Sequence, residues 1–240
     1  MKTSAEIRRI NTLREYGLQE VKEPDFWPGL EKPITQKGAN RFLLGAIIDY
    51  QITSDRAWEI SEWIAYEHFK GSTDIWKEIA KYTQEEWGKF CKENSVHRFP
   101  AAYDRIYRIG NVVWTQYKGD ARNIWKGQDS AVVRKRLLDM RFGEMLTNMV
   151  LGALYDVGEI EGVLDVKADT NVIRVLGRVL KGKVISKDEA IGLARMVLPE
   201  NPWRLDGALY WTGKGCCKKT DPICERCDFQ GICMYANQGY

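Results

Sequence analysis

Four cysteines near the C-terminus carry the densest potential chemistry in the chain. Cys217, Cys224, Cys227 and Cys233 are separated by six, two and five residues. Pro222 and Gly231 let this short loop fold back on itself. Four thiolates so placed can converge on one iron–sulfur cluster or on a tetrahedral zinc ion. Disulfides fit less well, because the cysteines crowd one loop and the stretch from Met1 to Glu20 lacks the apolar core of a signal peptide. Cys216 stands beside Cys217 and could exchange with it as a ligand. Cys91, the one cysteine elsewhere, lies in a helical apolar stripe and reads as core.

Upstream lies Lys167-Ala168-Asp169-Thr170-Asn171-Val172-Ile173-Arg174-Val175-Leu176-Gly177-Arg178. Asp169 starts a helix here. A carboxylate at that place accepts amide hydrogen bonds and is stabilised by the helix dipole, so a plain cap accounts for it when it is taken alone. Residues 137–151 read as two helices joined by a short bend. The amides that open the second helix can face a phosphate without reading sequence. Gln51 lies in a polar turn after an apolar helix, where a surface role is the default. Lys118 and Arg122 have the charge for phosphate contact, although solvated surface cations are the commoner case. His68 and His97 are isolated, and neither is given a role.

The elements that must position these groups are helical. Residues 4–16 are amphipathic, with Ile7, Ile10 and Leu13 at helical spacing. A loop with Pro24, Pro28 and Pro33 follows. Residues 40–50 are apolar nearly all round, which predicts a buried central helix. Ser54 is expected to cap the next helix, with Trp58, Ile60, Trp63 and Ile64 inward. Two short helices carry Ile75, Ile79, Tyr82, Trp87 and Phe90. Further helices are expected over residues 100–114, 120–126, 129–138 and 144–155. Residues 169–180 and 187–197 are expected to form the last long ones before the cysteines. Only residues 158–166 could be extended. No repeat or flexible linker is evident.

Net charge is only +3, from 36 Lys+Arg against 33 Asp+Glu. The chain is therefore not a polycationic wrapper for nucleic acid, although the positive excess lies in residues 101–240. Nine tryptophans and eleven tyrosines leave some rings for stacking on bases. No apolar run reaches membrane-spanning length. Reduced thiols point to a cytoplasmic, nucleoid-associated protein.

The cysteine spacing resembles that of the endonuclease III and adenine glycosylase group of the helix-hairpin-helix DNA glycosylase superfamily. That resemblance favours a [4Fe–4S] cluster on Cys217, Cys224, Cys227 and Cys233 over zinc. The Asp169 segment is similar to the family signature Asp-Thr-His/Asn-Val, followed by Arg-Val and a closing Arg, which implies that Asp169 is catalytic. Ile47-Ile48-Asp49-Tyr50-Gln51-Ile52-Thr53-Ser54-Asp55 resembles the family's Leu-Ser-x-Gln-x-Thr-Asp turn. Gln51 would reach the gap left by an extruded base, with Tyr50 and Asp49 shaping the pocket. Ile47 stands where adenine glycosylases carry a glutamate, which disfavours that specificity. Residues 117–124 resemble the family's Tyr-x-x-Lys-Ala-x-x-Ile segment and would bring Lys118 and Arg122 to phosphate.

The hairpin departs from the family. Leu-Pro-Gly-Val-Gly keeps only its last glycine, Gly143, and Met145 stands where strand-cutting members have lysine. A thioether forms no Schiff base, so the resemblance implies a monofunctional glycosylase without AP-lyase activity. The alternative is a catalytically silent DNA-binding or lesion-sensing relative. The implied fold is all-α and two-lobed, with a six-helix bundle over residues 33–160. Residues 1–32 and 161–240 would form the cluster lobe. The implied partner is double-stranded DNA lying between the lobes and bound by a monomer. Its damaged or modified base would be flipped into a pocket, with Lys214, Lys218 and Lys219 toward its backbone.

Overall fold

In the computed structural model, residues 3–19 and 31–238 are described. They are helices, turns and irregular segments, with no strand among them. The expected loop at Pro24 and Pro28 lies outside the described residues. No described helix is long and apolar enough to cross a membrane. Contacts divide the chain into two units, Asp25–Glu161 and Met1–Pro24 with Gly162–Tyr240.

The continuous unit is arranged around α2, Gln36–Ile48, which is buried from Gly38 to Ile48. A helix that is apolar nearly all round leaves no face for water, so its neighbours surround it. They are α3 (Ser54–Glu62), α4 (Ile75–Ile79), α6 (Pro100–Gln116), α7 (Arg122–Trp125) and α9 (Glu144–Asp156). Between them fall α5 (Gln84–Glu93) and α8 (Ser130–Asp139). Asn40, buried on α2, makes four hydrogen bonds. Its Nδ2 donates to Thr73 O and Gly119 O, and its Oδ1 accepts from Trp76 Nε1 and Ala121 N. A buried amide so satisfied fixes three chain segments against one helix.

Two local expectations are corrected. Thr53, not Ser54, is the N-cap of α3, and Ser54 Oγ turns back to donate to Asp49 Oδ1. Helix over residues 120–126 shrinks to the single turn Arg122–Trp125, because Asp120 is occupied with the Arg122 guanidinium. Residues 158–166 form neither helix nor strand and run as an irregular segment. Beyond α3 the chain continues as a π-helical segment, Trp63–His68. Its Trp63 ring stacks on Phe90 at 6.1 Å.

In the other unit, α1 (Ser4–Leu18) packs with α10 (Thr170–Lys181), α11 (Lys187–Val197) and α12 (Asp206–Gly215). Sequence patterning missed α12, because Gly207, Gly213 and Gly215 weaken its helix propensity. Its formation rests on packing. Gly213 is buried against α10, where a Cβ would stand 2.6 Å from Asn171 Cβ. Gly207 on the same helix has nothing within 4 Å. Gly213→Ala should therefore lower stability by about 1–3 kcal/mol through overpacking. Gly207→Ala should raise it by about 0.5–1 kcal/mol through helix propensity. Thermal melts of the two variants check the opposite signs.

Candidate nucleic-acid and cluster site

Helix α10 connects the two strongest sequence motifs. At its start, Asp169 is the N-cap. Asp169 Oδ1 accepts from Asn171 N at 2.7 Å and Val172 N at 3.0 Å. The cap engages Oδ1 alone, on a half-buried side chain. The preceding Ala168 has φ 49°, a left-handed conformation that is uncommon for a residue with a Cβ. Lys167 N donates to Asp206 Oδ1 at 2.6 Å. This braces the bend that delivers Asp169 to the helix start.

Near the other end of α10, Arg178 is only 5% exposed. Its Nη1 donates to Lys218 O at 2.6 Å and to Cys217 Sγ at 3.4 Å, and its Nη2 donates to Lys219 O at 3.0 Å. The guanidinium also lies 4.3 Å from the Tyr235 ring centre. One turn earlier, Arg174 donates to Cys217 O and Gly213 O. A pocket in this region is lined by Cys216, Cys217, Cys224, Cys227 and Cys233, with Val175 and Val179. Burial pushes the Cys227 thiol up to about 12. Among the described residues, no three His, Cys, Asp or Glu side chains gather closely enough to hold one metal ion. The sulfurs surround a space instead of a point. Cys216 Sγ donates to Thr212 O at 3.6 Å. Lys218 Nζ folds back onto Lys214 O, and Lys219 is exposed.

In the continuous unit, α8 and α9 form a helix-hairpin-helix. Arg141 N donates to Leu138 O, and Phe142 N to Leu137 O, closing α8. Arg141 has φ 60°. Gly143 is the N-cap of α9, and no side chain caps that first turn. Its amides therefore stay open to a ligand. Glu144, which would repel a phosphate there, is paired with Arg134. Met145 is half-buried.

Gln51 is exposed with φ 54°, and its Nε2 donates to Tyr50 Oη at 3.1 Å. Asp49 is buried. His97, given no role from sequence, holds this turn. His97 Nδ1 accepts from Phe99 N, so Nε2 carries the proton and donates to Tyr50 O at 2.8 Å.

No family model matches the chain. Solved structures share its fold. A non-covalent endonuclease III–DNA complex aligns with TM-score 0.65 and 18% identity over 99% of this chain and 98% of that one. A trapped endonuclease III–DNA covalent intermediate gives 0.65 and 16% over 99% of each chain. A thermostable thymine-DNA glycosylase gives 0.64 and 18% over 98% and 97%. In sequence, the chain is 28% identical to endonuclease III of Thermotoga maritima over 160 residues, 66% of this chain and 68% of that protein. The chain has the fold of the endonuclease III-like helix-hairpin-helix DNA glycosylases, and its sequence is similar to an endonuclease III.

Against that superfamily's pattern, the hairpin's departures carry less weight than its sequence suggests. Arg141 occupies the place of the first glycine and adopts the left-handed backbone that a glycine there would supply. Arg122 binds Asp120 through Nε and Nη2 and donates to Ile34 O through Nη1, so its guanidinium is engaged within the fold. Lys118 is exposed in a left-handed turn and keeps its charge for solvent or ligand. Sequence reading missed the roles of Arg178 and His97, because both act on groups far away in the chain. Trp211, 54% exposed on α12, was not singled out either.

Asparagine caps helices about as well as aspartate. Asp169→Asn should therefore change stability by under about 0.5 kcal/mol, whereas Asp169→Ala should lose about 1 kcal/mol. Denaturant titration of both variants tests whether the carboxylate charge can be removed without disturbing the helix start.

Proposed function

We propose that this protein is a monofunctional DNA glycosylase that hydrolyses the N-glycosidic bond of a damaged or modified base in duplex DNA. The observation carrying the reading is the retention of Asp169 at the head of α10 with methionine at position 145. The likeness to endonuclease III in sequence and fold supports base excision, and the similar structures captured with DNA support duplex DNA as the partner.

In this reading the bond from C1′ to the base breaks with its electrons leaving on the base. Positive charge grows on the deoxyribose, and the Asp169 carboxylate stabilises it. A water adds at C1′ and gives its proton to Asp169. Gln51 fills the space vacated by the extruded base, next to Tyr50 and Asp49. The uncapped amides of α9 hold a phosphate of the same duplex, with Lys118, Lys218 and Lys219 adding charge.

Strand cleavage through a Schiff base needs an amine, and Met145 has none. On α8, Lys135 is paired with Asp139 at 2.6 Å. The hairpin is formed despite its missing proline and first glycine, which supports DNA binding, and the retained Asp169 carboxylate favours an active enzyme over a silent DNA-binding relative.

The cysteine pocket fits a [4Fe–4S] cluster held by Cys217, Cys224, Cys227 and Cys233. The thiols surround a space, which suits a multi-atom cluster better than a single zinc ion. Arg178 Nη1 donates to Cys217 Sγ and would hold that sulfur in place as a ligand. When bound, the cluster supplies four covalent ties within the loop.

Duplexes bearing oxidised, alkylated, deaminated or otherwise modified bases should yield abasic sites for one class of lesion. Borohydride should trap no adduct, and Asp169→Asn should abolish release. A trapped adduct would remove the monofunctional claim, and no release from any duplex would leave the silent relative. Separately, Cys217→Ser should lose the visible absorbance and iron content that Cys216→Ser retains.

A further inference from the structure

Five arginines of the continuous unit, Arg98, Arg105, Arg108, Arg136 and Arg141, have no carboxylate partner among the described residues, and three of these act on one another. Arg105 and Arg108 lie one turn apart on α6, and Arg141 lies at the bend of the hairpin. By contrast, Arg41, Arg56, Arg122 and Arg134 in the same unit each have an acidic partner. The three are close enough to act on one another. The Arg108 guanidinium is held below its ordinary value first by burial, then by the charges of Arg141 and Arg105. Clustered like charges destabilise a fold unless an anion joins them.

Geometry orients the cluster. Arg108 Nη1 donates to Met140 O at 2.8 Å, which fastens the hairpin loop to α6. The Arg105 guanidinium lies 4.8 Å from the Tyr50 ring centre, beside the Gln51 turn. An open groove of about 620 Å³ runs along α6, lined by Arg105, Arg108, Tyr107, Asn111, Gln84 and Asp104. Its one carboxylate, Asp104, accepts from Gln84 Nε2 at 3.0 Å. The walls thus offer cations and amides on an open track along α6.

We propose that Arg105, Arg108 and Arg141 form a second phosphate-binding patch that carries the backbone of duplex DNA along α6, beyond the phosphate held at the start of α9. The proposal rests on the DNA-binding reading above. An extended backbone fits an open groove with spaced guanidinium groups. A small anion would need a closed cradle, and α6 offers none.

The test is equilibrium binding of the full chain to an undamaged duplex across a salt series, by fluorescence anisotropy. The variant is Arg105→Gln/Arg141→Gln, which leaves Arg108 on Met140 O and keeps a side chain at position 141. Neutralising two phosphate contacts should reduce the slope of log K against log salt by about 1.8, since each contact contributes about 0.9. Lys89→Gln/Lys92→Gln on α5 is the charge-matched control and should leave the slope unchanged. A double-arginine variant with the wild-type slope, or an equal drop in the control, overturns the patch while leaving the glycosylase reading intact. A wild-type protein that does not bind the duplex overturns both. Circular dichroism and the melting temperature confirm that each variant is folded.

Discussion

A buried guanidinium fastens the cysteine loop to the helix that carries Asp169. Arg178 is almost wholly removed from water, and a buried cation must be surrounded by acceptors. The carbonyls of Lys218 and Lys219 and the sulfur of Cys217 supply them. These acceptors can meet Arg178 only if the loop turns back over the end of α10. At the other end of the same helix, two amides hold Asp169. One rigid element therefore sets both the carboxylate and the cysteine pocket, and a shift of α10 would disturb both. The close approach at Gly213 adds a third restraint on the helix, from α12.

The continuous unit is governed in a similar way by Asn40. Its amide ties α2 to the start of α4 and to both sides of the Gly119 turn. The hairpin depends less on residue identity than on backbone shape. Arg141 reaches a conformation that favours glycine and adds a charge at the bend. This places cost and benefit at one residue: about 1–2 kcal/mol of strain for a left-handed residue with a Cβ, and a guanidinium at the hairpin.

Much of this was legible in the sequence where the signal is local. Cysteine spacing, the Asp169 cap, the Asp129 cap of α8 and the mainly apolar α2 all depend on residues within a turn or two of one another. Long-range contacts were hidden. Nothing around Arg122 announces that its guanidinium will bind Ile34 O. Nothing around His97 announces Tyr50. Helix α12 escaped notice because its glycines oppose a helix locally, and only the packing of Leu209 and Gly213 against their neighbours stabilises one. Thr53 displaced Ser54 as the cap because Asp49 offered the serine hydroxyl another partner.

The interrupted layout of the second unit has a kinetic consequence. Residues 25–161 are contiguous, so their contacts close loops of modest length. The other unit needs α1 and the cysteine loop together. Arg9 Nε, in α1, donates to Ile232 O, and Tyr16 bonds Asp228, across more than two hundred intervening residues. A chain emerging from the ribosome can complete the inserted unit while α1 still lacks its partners. Within its own unit the cysteine loop emerges long after α1, so the contacts between them form late.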